Sequence, residues 1–136
     1  MPKRRRGAHT ARRPIANRHV GFAALVDRAL AAIPPPFREA LGEVAIVIDD
    51  EPSADQRRDN DLGPDDDLYG LYEGVPRTEY GADWVAMPNR ITLFRLALEE
   101  DFPDPDDLAD EVRLTVIHEL AHHLGIDDDR LDELGV

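Results

Sequence analysis

His118-Glu119-Leu120-Ala121-His122, followed by His123, Leu124, Gly125 and Asp128, is the stretch on which the reading of this chain turns. Residues four apart on a helix lie one above the other, so His118 and His122 present two imidazoles to one point. Glu119 is rotated by about a quarter turn from His118. From there its carboxylate reaches a water activated beside the imidazoles without joining them as a ligand, and passes the proton to a leaving amine. Two neutral imidazoles and a carboxylate suit zinc, and no thiolate competes because the chain has no cysteine. Gly125 lets the backbone turn back sharply. Asp128 then arrives where a third ligand is needed, with Asp127 and Asp129 as register-shifted rivals.

The helix that carries the motif announces its own ends. Asp104 stands where an N-cap belongs, Pro105 suits the first helical position, and Asp106 and Asp107 favour the positive end of the dipole. Leu108, Val112, Val116, Leu120 and Leu124 repeat at three- and four-residue spacing, with Ile117 and Ala121 beside them. Gly125 is the expected terminator. His123 falls off the ligand spacing and is expected to cap or solvate the helix end. Glu111, two turns before His118, reads as a surface acid or as an acceptor for an imidazole N–H.

The 136 residues make room for one compact domain, and 42% apolar residues are enough to build its core. Charge is divided unevenly. Residues 1–20 carry seven basic side chains and no acid, leaving nine basic against 29 acidic side chains in residues 21–136, a net charge of −20. Such a body repels nucleic acid and anionic membranes. Residues 1–17 read as a disordered basic arm and residues 18–136 as a single domain. The apolar stretch from Val20 to Ile33 is broken by Asp27 and Arg28, so neither a membrane span nor a secretory signal is expected, and the cytoplasm is the expected compartment.

Outward from the motif, Arg18 to Ala32 has helical spacing and stops at Pro34-Pro35-Pro36. Glu43–Asp49 reads as a buried strand, Leu68–Glu73 as a second and Asn89–Arg95 as a third. Glu51–Asp67 reads as a mobile acidic loop. A calcium loop opening at Asp59 fails there, because its bidentate Glu position falls on Gly70.

Thr115 to Asp128, with Gly70-Leu71-Tyr72-Glu73-Gly74-Val75-Pro76, Arg90-Ile91-Thr92-Leu93-Phe94-Arg95 and the Pro35 to Arg38 segment, resembles the small bacterial zincin-like metallopeptidase family. The likeness runs from about Phe22 to the end. It implies an α+β, minimal zincin-like fold: a small mixed β-sheet packed against an N-terminal helix and the motif helix. It also implies one zinc per chain on His118, His122 and Asp128, Glu119 as general base, and a peptide or protein substrate. In zincins a peptide lies along an edge strand above the metal, and Asn89–Arg95 is the strand expected to serve. Tyr69, Tyr72 and Tyr80 are candidates for an oxyanion donor, although packing is the commoner role of a tyrosine beside a strand.

Two other classes compete. A zincin-like endoribonuclease would use the arm at Lys3–Arg6 to hold RNA, but that family typically has Gly where Glu119 stands. A non-enzymatic metal-binding or interaction module would use the metal to stabilise a small core. Three ligands with a neighbouring carboxylate favour catalysis, since structural zinc is usually closed by four.

Overall fold

Asp104 caps the motif helix as its sequence requires: its Oδ1 accepts from the amides of Asp106 and Asp107 at 2.8 and 3.2 Å. Pro105 opens the helix, which runs from Pro105 to Leu124, and Gly125 closes it with a left-handed φ of 73°. The computed structural model that shows this describes residues 4–5, 18–74 and 89–134.

In chain order the elements are β1 (Arg4–Arg5), α1 (Arg18–Ala31), α2 (Phe37–Ala40), a 3-10 turn (Leu41–Glu43), β2 (Ala45–Asp49), α3 (Ala54–Asp59), β3 (Asp66–Asp67), β4 (Gly70–Glu73), β5 (Arg90–Phe94), α4 (Arg95–Asp101), α5 (Pro105–Leu124) and α6 (Asp128–Glu133). The fold is α+β. Phe22, Val26, Ala29 and Ile33 of the first helix and its exit close on Val112, Val116, Leu120 and Ala121 of α5, and Ile91 and Leu93 cover them from the sheet. No helix among the described residues is long and apolar enough to cross a membrane.

The sheet corrects one expectation that bears on function. Its order is β2-β5-β4, with β2 parallel and β4 antiparallel to the middle strand. The strand within Asn89–Arg95 is therefore the centre and not an edge, and no peptide can pair along it. Its residues Ile91 to Phe94 are buried on both faces, as a central strand requires. Among the described residues the antiparallel edge is β4, and β4 packs against α5. β2, expected to be buried, is the other edge, half-buried in its middle and exposed at both ends.

Gly70 sets the approach of β4 to α5. A Cβ built on it would lie 2.6 Å from Cγ2 of Thr115 and 3.3 Å from the carbonyl oxygen of Thr92. Both neighbours are buried parts of the fold, so one has to move. Gly70→Ala is expected to cost about 1–3 kcal/mol, read as a fall in the denaturant midpoint. An unchanged midpoint would show that the helix and sheet are free to slide.

The segment expected to be a mobile acidic loop is partly ordered. Ser53 and Gln56 form a reciprocal capping box that starts α3, each side chain accepting from the other's amide, at 3.1 and 2.9 Å. Gln56 Nε2 then donates to Glu73 Oε1 at 2.7 Å and ties the helix to the end of β4. Further on, Asp66–Asp67 pairs antiparallel with Arg4–Arg5, so part of the basic arm runs beside the acidic segment.

Candidate metal centre

Thr115, Glu119 and His123 follow one another at four-residue steps, so they form a single ridge along α5. Thr115 meets Gly70 and His123 meets Tyr72, which places β4 along that ridge. Glu119 is midway and 1% exposed. His118 and His122 form the neighbouring row, rotated by about 60° from the ridge. His118 is half-buried, and the His122 side chain is 46% exposed. The motif thus divides into an imidazole row open to solvent and a carboxylate set inward.

The two rows touch. Nδ1 of His122 stands 3.0 Å from Oε2 of Glu119, so the carboxylate neighbours that ring nitrogen and Nε2 is the one turned from it. In its donor chemistry the set fits zinc: two imidazoles on one helical row, with a carboxylate beside one ring. Among the described residues, however, no three His, Asp or Glu side chains stand together as a metal-holding group. The structure sets Glu119 against His122, and among the described residues neither His118 nor Asp128 completes a metal-holding group with them.

Asp128 is nonetheless restrained on both sides. The amide of Ile126 donates to the carbonyl of Ala121 at 2.8 Å, so the chain folds back over the helix end. Leu131, 1% exposed, anchors α6 in the core. Asp128 is the first residue of α6 and exposed. Of its rivals, Asp127 is engaged as the N-cap, accepting from the amide of Arg130 at 2.9 Å.

His123 is where sequence reasoning went wrong. It neither caps nor solvates the helix but is buried, with Nδ1 3.0 Å from the hydroxyl of Tyr72 and Nε2 3.3 Å from Oε1 of Glu43. The signal was present: by helical rotation His123 shares the side of Val112 and Val116, which face the core. Tyr69 is placed as a packing residue, its ring edge-on to Phe102 and its hydroxyl donating to the Asp101 carboxylate. Tyr80 lies outside the described residues.

Glu111 is half-buried, and loss of hydration together with the nearby Asp101 charge raises its pKa above the ordinary carboxylate value. The folded state therefore holds this proton more tightly than the unfolded chain does, and stability falls as pH rises from the unfolded value through the folded one. Glu111→Gln is expected to melt at a higher temperature than wild type at pH 7. The gain should vanish as pH falls to about 3, below the ordinary carboxylate pKa, where the carboxyl is protonated in both states. A gain that persists at low pH would assign the effect to packing.

A family model described as zincin-like metallopeptidase matches residues 41–136, well over half of the chain and the whole of α5 and α6. No curated protein matches the chain at a significant level. The match spans the three-stranded sheet and the motif helix, and the chain belongs to the zincin-like metallopeptidases.

Proposed function

We propose that this protein is a zinc-dependent hydrolase of peptide bonds, acting in the cytoplasm on a peptide or protein substrate. The observation that carries the reading is the pairing of the open His118–His122 row with a buried carboxylate, Glu119, 3.0 Å from His122. His118, His122 and Asp128 would hold one zinc, which when bound would supply a Lewis acid for the scissile carbonyl and lower the pKa of water. Glu119 takes a proton from the attacking water and delivers it to the leaving amine. β4, the edge strand beside α5 among the described residues, offers main-chain hydrogen bonds to an extended peptide. A body with a net charge of −20 disfavours RNA as the alternative substrate.

Metal content tests the ligand set. Purified wild type is expected to hold about one zinc per chain, and Asp128→Ala prepared identically clearly less. Wild type that stays metal-free after zinc addition would overturn the proposal. One observation favours a second reading, a metal-binding or interaction module without hydrolysis: Glu119 is 1% exposed, so water reaches its carboxylate only if the covering residues part.

A further inference from the structure

Resting on that reading, we propose that Tyr72 and His123 are positioning residues, a clamp that holds β4 on α5 and thereby keeps the Glu119 carboxylate aimed at the imidazole row. β4 touches the ridge of α5 at two places. At Gly70 the contact is backbone against Thr115, with no room for a side chain. Tyr72 points to the same side of the strand as Gly70, because side chains alternate. Its whole ring spans the second gap, standing 5.7 Å from the His123 ring centre. Glu119 lies one helical turn from each contact, under the middle of the strand.

The far end of the clamp is fixed as well. The Glu43 carboxylate only accepts, so on a neutral ring Nε2 of His123 is the donor towards it at 3.3 Å. Nδ1 is then an acceptor, and the Tyr72 hydroxyl donates to it at 3.0 Å. With its proton committed in this way, Tyr72 is no oxyanion donor. The chain Glu43–His123–Tyr72 joins the turn before β2, the last turn of α5 and the edge strand, and every atom in it sits outside the proposed ligand set. Gly70 sets the approach at one end, and the side-chain link at Tyr72 holds the other end of the strand.

The test uses the zinc-loaded full chain and three variants. Tyr72→Phe removes the hydroxyl. His123→Gln keeps a donor for Glu43 and loses the acceptor for Tyr72, whereas His123→Asn carries an amide oxygen at the Nδ1 position. Tyr72→Phe and His123→Gln are expected to lower kcat about tenfold with KM and zinc affinity unchanged. The double variant should fall no further, and His123→Asn should recover most of the loss. Additive losses, a raised kcat or a failed recovery would overturn the clamp. Amide hydrogen exchange at Leu71, Tyr72 and Glu73 decides independently of catalysis, because a released strand exchanges faster. If wild type cleaves no peptide, the hydrolase reading fails on its own. The clamp then stands or falls on exchange, and unchanged rates in Tyr72→Phe would end it.

Discussion

Glu119→Gln is expected to keep its zinc and lose peptide cleavage by about a thousandfold. The substitution is nearly isosteric, which matters because Glu119 is 1% exposed and any change of volume would disturb the packing around it. The amide still meets the ring of His122, 3.0 Å away in the wild type, so the imidazole keeps a polar neighbour. Glutamine lacks the basic oxygen that accepts the proton of water. Metal content and cleavage of a mixed peptide library, both read by mass spectrometry, separate the two roles. His118→Ala and His122→Ala serve as controls that should lose metal and activity together. Cleavage retained in Glu119→Gln would sink the general-base assignment. Zinc lost from it would make Glu119 a ligand.

The motif was legible in the sequence because its chemistry is local. Four-residue spacing on one helix fixes the relation of His118 to His122, and Asp104, Pro105 and Gly125 bound that helix by hydrogen bonds formed within a turn of each. The same kind of local signal marked α3, where Ser53 and Gln56 form a capping box inside a segment that composition alone makes look like a loop. Strand order is another matter. Which strand is central depends on partners far along the chain, and β5 pairs with residues 45–49 and 70–73 on its two sides. The clue was its content, since Ile91, Thr92, Leu93 and Phe94 leave neither face polar enough to meet water. The burial of His123 was equally non-local, because Tyr72 of β4 and Glu43 meet its ring. Spacing places a side chain on a helix row, but only the sheet determines whether that row faces water.

Arg95→Ala is expected to destabilise the fold by about 3 kcal/mol. Arg95 is the first residue of α4 and is completely buried, 0% exposed, where β5 passes into the helix. Its guanidinium donates from Nε and Nη2 to Oδ1 of Asp50 at 3.0 and 2.8 Å, and from Nη1 to Oε1 of Glu99 at 2.6 Å. The fork thus ties the exit of β2 to the exit of β5 at the same end of the parallel pair. Truncation removes three charge-assisted hydrogen bonds and takes the guanidinium away from both carboxylates. Glu99 is the costlier of them, its side chain only 12% exposed against 40% for Asp50. Arg95→Lys restores the charge but not the fork, so its loss should lie between wild type and Ala. Equilibrium unfolding in denaturant gives the comparison, with the two carboxylates probed by Glu99→Gln in the Arg95→Ala background. If the paired charges are what the arginine neutralises, that second change recovers stability that it would cost in the wild type. A recovery absent in the double variant would assign the loss to the buried stem of Arg95 and its packing, and the ion pairs would then be incidental to the junction.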